Sequence, residues 1–185
     1  PLPTHTHIAF RERFGHTILE RYGMTEIGIV LSNPLTGERR PGSVGLPLPG
    51  VDARIANHTT NEAVDDGTIG EVQIRGPSVS SGYFENPEAS RLARCGAWMK
   101  TGDLGFRSHD GYFTLVGRNS DMLISGGFNV YPAEVSNALC EHPLVSEAAV
   151  IGLPDDDLGE RVVAVLVTRD APEDIAAWLT SRLTG

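Results

Sequence analysis

Hydrophobic positions at the start of the chain are sparse but regularly placed: Ile8, Phe10 and Phe14 recur among polar neighbours. The spacing predicts a loosely amphipathic helix over residues 4–14, which Gly15 can end as a left-handed cap. Residues 16–22 read as a short strand running into a loop. Residues 33–50 then hold four prolines and four glycines in eighteen positions, which excludes regular helix. Val44, Leu46 and Leu48 give this segment something to bury, so it reads as an ordered loop. Alternating patterns predict strands at 51–55 and 71–75, and residues 104–107 and 112–116 flank Ser108-His109-Asp110-Gly111 as a hairpin. Residues 42–117 thus suggest a small, mostly antiparallel β unit.

Past Arg118 the pattern changes. Residues 122–125 are extended, 132–139 form a helix with proline in its first turn, and 147–151 and 161–168 are strands. Pro172 is expected to open a final helix. The switch to alternating α and β segments places a domain boundary near Arg118, giving domains of 1–117 and 118–185 and a mixed α/β (α+β) class. No internal repeat or low-complexity tract is evident.

Composition narrows the function. The 185 residues are 40% hydrophobic and 21% charged, ordinary for a globular protein. No apolar run approaches the roughly 18 to 20 residues that span a bilayer. A net charge of -9 without a basic block makes nucleic acid a poor partner. Cys95 and Cys140 lack the paired spacing of a disulfide framework or zinc site, which fits a reducing, cytoplasmic setting, or a mitochondrial matrix in a eukaryote. The chain begins at Pro1 and reads as an internal fragment, so a targeting signal could lie outside it.

Three clusters could carry chemistry. In Tyr22-Gly23-Met24-Thr25-Glu26 an aromatic ring can cover a purine, a hydroxyl can donate to a phosphate oxygen, and a carboxylate can hold Mg²⁺. The competing reading is a turn with a core tyrosine. In Trp98-Met99-Lys100-Thr101-Gly102-Asp103-Leu104-Gly105, Asp103 can accept two hydrogen bonds from a ribose diol, or satisfy local amides as a turn residue. In the third, Arg118 could reach the same ribose or a phosphate, and Gly126-Gly127 permit either close approach by an extended ligand or a bulge before a helix. Asp155-Asp156-Asp157 lacks the ligand spacing of a calcium loop and reads as a solvated turn, and His5 and His7 read as surface residues.

The order of these clusters is more informative than any one of them. YGMTE, GSVGLPLPG, GEVQIRGP, GYFENP, WMKTGDLG, GRNSDMLISGGFNVYPAEV and AAVIGLPDDDLGERVVAVLV together resemble the adenylate-forming superfamily of acyl-CoA synthetases, peptide-synthetase adenylation domains and beetle luciferases. Within it, ERYGMTEIGIVLSNPLTGERRPGSVGLPLPGV and GGFNVYPAEV look most like malonyl-CoA synthetases. The resemblance implies the C-terminal portion of such an enzyme, a small β-barrel-like unit followed by a small α/β domain. It also implies an ATP-dependent ligase that joins a carboxylic acid to AMP, releases pyrophosphate and passes the acyl group to coenzyme A.

Residue by residue, the resemblance implies that Tyr22, with Gly23 and Met24, meets the adenine, Thr25 the α-phosphate, and Glu26 magnesium. Asp103 would grip the ribose with help from Arg118. Gly126, Gly127 and Phe128 would approach the pantetheine arm of CoA. A hinge between the half-reactions falls at Ser120, where the family usually carries Asp or Lys; either serine serves there or Asp121 takes part of its role. A malonate-like substrate keeps a second carboxylate that needs a partner, for which Arg39 or Arg40 is the candidate, against a solvated pair. Alternatives are a medium-chain or aryl acyl-CoA ligase and a non-catalytic, truncated AMP-binding module. Oligomeric state has no signature here.

The family's upstream Ser/Thr/Gly-rich phosphate loop and its C-terminal lysine have no counterpart among these 185 residues, and Lys100 belongs to the TGD motif. Purified alone, the chain is expected to show no ligase activity in a pyrophosphate-release assay; product above a no-protein control would overturn this.

Overall fold

Helix α1 (Thr4–Phe14) ends at Gly15, whose φ of 64° and N–H bond to the Arg11 carbonyl form the expected left-handed cap. The computed structural model describes residues 2–170 and 174–183. The chain divides into two units, Pro1–Val116 and Gly117–Gly185. In α1 the burial differs from the sequence pattern. Phe10 and Phe14 are exposed and pack on each other at 4.7 Å, whereas His7 is only 1% exposed. His7 is therefore a buried residue and not a surface one: its Nε2 meets the Ile18 carbonyl at 3.3 Å. Glu20 is buried as well, and desolvation pushes its carboxyl above the usual carboxylate range.

The first unit contains two open sheets, and the described residues form no closed barrel. One is an antiparallel sheet of β1 (Arg21–Met24), β2 (Gly28–Ser32) and β3 (Leu46–Pro47), in that order. The other comprises β4 (Asp52–Ala56), β5 (Gly70–Arg75), β6 (Arg94–Cys95), β7 (Trp98–Arg107) and β8 (Phe113–Arg118), ordered β4-β5-β7-β6 with β8 also paired to β7. Between β5 and β6 lies α2 (Pro87–Leu92), capped by the Asn86 side chain, which accepts the Ala89 N–H at 3.0 Å. Tyr22, Val30 and Leu31 from the first sheet and Val72, Ile74 and Met99 from the second meet in one apolar cluster. Residues 16–20 lie outside β1, and at its edge the Glu20 carbonyl accepts both the backbone and the side-chain N–H of Asn33.

That asparagine also orders the proline-rich segment. Only 2% exposed, it donates to the Ser43 carbonyl at 2.6 Å and accepts the Arg40 N–H at 2.9 Å. A buried amide with every strong partner in place is a rigid brace. The loop then crosses the first sheet so closely at Gly45 that a Cβ there would lie 2.0 Å from the Ser32 carbonyl carbon.

The second unit has a sheet ordered β10-β9-β12-β11, from β9 (Leu123–Ser125), β10 (Phe128–Val130), β11 (Val145–Asp155) and β12 (Gly159–Thr168). Helix α3 (Pro132–Cys140) packs on β11, and α4 (Ile175–Thr180) docks on α3 through the Trp178 Nε1–H, which donates to the Ala138 carbonyl at 2.9 Å. The β11–β12 hairpin turns at the acidic triplet, where Asp155 Oδ1 accepts the N–H groups of Asp157 and Leu158, each at 3.1 Å. Those backbone donors hold the Asp155 carboxyl below its ordinary value, so the triplet forms a turn. Pro172 lies outside the described residues. Among them, no helix is long and apolar enough to cross a membrane.

The contrast between two positive-φ glycines is testable. Gly45→Ala, at φ 94° and against backbone, should cost at least ~3 kcal/mol in urea unfolding, since strain and overpacking add. Gly50→Ala, at φ 81° with open space around the new methyl, should cost only about 1 kcal/mol.

Candidate functional site

The β1–β2 hairpin carries the first motif, and its geometry needs glycine at position 23. The register shifts between Tyr22 and Gly23, bringing the strands so close that a Cβ on Gly23 would lie 2.2 Å from the Gly28 carbonyl oxygen. At the turn, the Ile27 N–H bonds the Met24 carbonyl and the Ile27 side chain is fully buried. Ile27 thereby pins the tip of the hairpin, leaving Thr25 exposed and Glu26 half-buried. Met24 packs partly against the core.

Tyr22 is in the first place a core tyrosine, 8% exposed and part of the apolar cluster. What remains accessible lines a shallow depression of about 420 Å³ with Arg21, Gly23, Met24, Gly28 and Ile29. Its phenol donates to Asp103 Oδ2 at 2.6 Å, so the first and second motifs meet across 81 positions of sequence. The short distance is that of a charge-assisted O–H···O⁻ bond.

Asp103 owes its position to a bulge. The β5–β7 register shifts between Glu71 and Gln73, and Gly102 opposite sits at φ 73°. Glu71, 4% exposed, accepts the Gly102 N–H at 3.1 Å on one oxygen and the Gln73 side-chain amide at 3.4 Å on the other. Thr101 Oγ1 donates to the Val72 carbonyl at 2.7 Å and accepts the Asp103 N–H at 3.1 Å. Sequence reasoning did not single out Glu71. In the alternating pattern of this strand Glu71 takes a polar position with Gln73 and Arg75, so the sequence carried no signal of its burial.

Glu26 has an unanticipated neighbour too. Its Oε1 accepts the Tyr83 phenol at 3.0 Å, and its backbone carbonyl accepts the Ser80 N–H at 2.7 Å. Among the described residues no three His, Cys, Asp or Glu side chains gather as a self-sufficient metal site.

Arg39 and Arg40, the candidates for a substrate carboxylate, are engaged within the first unit. Arg39 donates to the carbonyls of Thr17 at 2.6 Å, Leu35 at 2.8 Å and Pro34 at 3.4 Å. Arg40 grips both oxygens of Asp110, at 2.7 and 3.2 Å, with its guanidinium 3.9 Å above the Tyr112 ring. Both therefore brace the loop, and this geometry favours the structural reading of the pair.

In the second unit, Arg118 closes β8 with its side chain exposed. Ser120 lies in the 3₁₀ turn Asn119–Asp121, and its hydroxyl donates to Asp121 Oδ1 at 2.8 Å, joining the two hinge candidates. Gly126 and Gly127, at φ 57° and 85°, are the two-residue turn of the β9–β10 hairpin, where both positions need positive φ. They are thus a hairpin turn and not a bulge. Phe128 follows with 75% of its surface exposed.

With these arrangements in place, comparison with known proteins is informative. The profile of the AMP-binding enzyme family matches residues 1–84, and that of the AMP-binding enzyme C-terminal domain matches 134–185. A sulfoacetate–CoA ligase of Cupriavidus necator is 44% identical over 92% of the chain and 34% of that protein. A malonate–CoA ligase of Arabidopsis thaliana is 42% identical over 85% of the chain and 26% of its own length. The crystal structure of ATP-bound MatB from Rhodopseudomonas palustris superposes over the whole chain with a TM-score of 0.93 at 41% identity, covering 38% of that protein. The chain spans about a third of these relatives' length.

The Arg40–Asp110 pair has a pH signature. Arg40, aided by the Ser108 hydroxyl, holds the Asp110 carboxyl well below the usual carboxylate range. A depressed native value contributes stability above the unfolded carboxylate value of roughly 4, and the contribution is lost as pH falls through the native value. Asp110→Asn should therefore flatten the acid side of a Tm–pH curve below about pH 4; a variant curve parallel to the parent's would contradict the assignment.

Proposed function

Because the chain belongs to the AMP-binding enzyme family, we propose that it forms the C-terminal third of an AMP-forming acid–thiol ligase that adenylates a carboxylic acid and transfers the acyl group to coenzyme A. The observation that carries this reading is the 2.6 Å bond between Tyr22 and Asp103, which unites two distant motifs at one edge of the first unit. Residues 1–117 complete the large AMP-binding domain and 118–185 begin the small one.

The chemistry requires two anions, a carboxylate and a triphosphate, to approach, so stabilising charge at the α-phosphate is the main catalytic task. Tyr22 holds Asp103, whose carboxylate accepts the ribose hydroxyls. Thr25 offers its exposed hydroxyl to the α-phosphate. Magnesium arriving with a triphosphate takes most of its ligands from phosphate and water and needs only one or two protein carboxylates. Glu26, a hard oxygen donor half-buried at the hairpin tip beside the exposed Thr25 hydroxyl, fits that demand without a larger cluster. When bound, the ion would neutralise charge on the leaving pyrophosphate.

For the second half-reaction, the glycine turn and exposed Phe128 provide a narrow, sterically open tip along which a pantetheine arm can lie, with Ser120 as the pivot. Malonate is the acid that the malonate–CoA ligase relatives support best. Since Arg39 and Arg40 are engaged with protein groups, its second carboxylate is paired elsewhere in the complete enzyme.

In the complete ligase carrying this chain, CoA-thioester formation across an acid panel should favour malonate over acetate. Asp103→Ala should lower adenylation roughly a hundredfold or more, and Arg40→Ala should leave the malonate preference intact. Equal use of all acids would remove the malonate assignment, and full activity of Asp103→Ala would remove the ribose contact on which the site is built.

A further inference from the structure

The GYFENP segment has no role in the reading above, yet it reaches the centre of the site. We propose that Tyr83 is a positioning residue for Glu26, its phenol holding the carboxylate with one oxygen turned to solvent for the magnesium–nucleotide. This rests on the assignment of Glu26 as the magnesium-facing acid, and adds to it a residue and a mechanism.

Two bonds from one loop secure Glu26. The Ser80 N–H holds its backbone carbonyl at 2.7 Å, and Tyr83 Oη–H holds Oε1 at 3.0 Å. Neither donor is a chance contact of a loose loop. The Ser80 carbonyl accepts from the Arg94 guanidinium. The Tyr83 N–H donates to Ser90 Oγ at 2.8 Å, and Ser90 in turn donates to the Asn86 carbonyl at 2.8 Å, so Tyr83 is tied to the first turns of α2. Gly82, at φ 148°, lies where a Cβ would come within 2.7 Å of Ser90 Oγ, which lets the loop approach the helix. A rigid donor therefore meets a carboxylate that would otherwise rotate freely at a hairpin tip.

The chemistry suits the task. A carboxylate has about four lone-pair sites, and one phenol occupies only one, leaving the other oxygen for a cation. The phenol also carries no positive charge, so it orients Glu26 without neutralising it, as an arginine or lysine would. It remains a donor throughout the neutral range.

The first test needs no catalysis. Binding of magnesium–ATP to the complete ligase without acid substrate, followed by calorimetry, should be roughly fivefold weaker for Tyr83→Phe than for the parent; unchanged affinity would overturn the positioning role. The second follows adenylation by the same enzyme. Tyr83→Phe, at a side chain 41% exposed and thus tolerant of the change, should raise the magnesium concentration for half-maximal adenylation roughly fivefold. Glu26→Gln should raise it further, and the double variant should be no worse than Glu26→Gln. If Glu26→Gln acts while Tyr83→Phe does nothing, or if the effects simply add, the positioning role falls and the ligase reading stands. If Glu26→Gln leaves magnesium dependence unchanged, the assignment of Glu26 falls, and the role of Tyr83 with it.

Discussion

A buried carboxyl group has to find donors, and at Glu71 that requirement shapes the first unit. With 4% of its surface exposed, Glu71 takes the Gly102 N–H and the Gln73 amide. The Gly102 bond is available only because β7 breaks its regular register with β5, and the break requires a residue that accepts a φ of 73°. Past the bulge, Asp103 is directed at Tyr22 rather than along the ladder. A single satisfied charge inside the sheet thus converts a long strand into a support for a surface carboxylate.

The same economy recurs on the first sheet. Tyr22 contributes its ring to the core and its hydroxyl to Asp103, so the alignment of the two motifs is coupled to packing. Loss of core packing would move the phenol, and with it the bond that Asp103 accepts from Tyr22. Around this centre the irregular segments are braced by polar groups: Asn33 within the proline-rich loop, Arg40 on Asp110 and Tyr112, and Asn86 and Ser90 at α2. Sites held to a tolerance of tenths of an ångström need such supporting contacts, because loops alone do not supply rigidity.

Most elements were legible because their signals are local. The glycine cap of α1, the antiparallel strands from 51 onward and the turn at Ser108–Gly111 all follow from residues within a few positions of one another. What escaped depended on partners. Residues 28–32 form an apolar run whose strand character is settled by pairing with β1 and β3, and α2 has six residues, too few for a helical period to show. Strand β10 was announced by Gly126-Gly127, a two-residue hairpin signal, but was masked by the proline-led helix that follows. His7 is buried by contacts eleven residues away, which no helical pattern encodes.

The site divides along the same line. Residue types suited to a nucleotide could be named from the motifs, since a hydroxyl, a carboxylate and glycines carry their chemistry wherever they lie. Their partners could not. Arg39 and Arg40 looked available as isolated cations in a loop, and only the fold places carbonyls and Asp110 against them. Conversely, Tyr83 looked like one aromatic among several, and only the fold sets its hydroxyl against Glu26, 57 positions away. Charge in sequence states a demand for a partner, while the three-dimensional arrangement decides whether that demand is met by the protein or left for a ligand. The Glu26 carboxylate, bonded through one oxygen at the half-buried tip of a pinned hairpin, has capacity left for a ligand; the guanidinium of Arg40 has both faces of its need supplied by Asp110 and Tyr112.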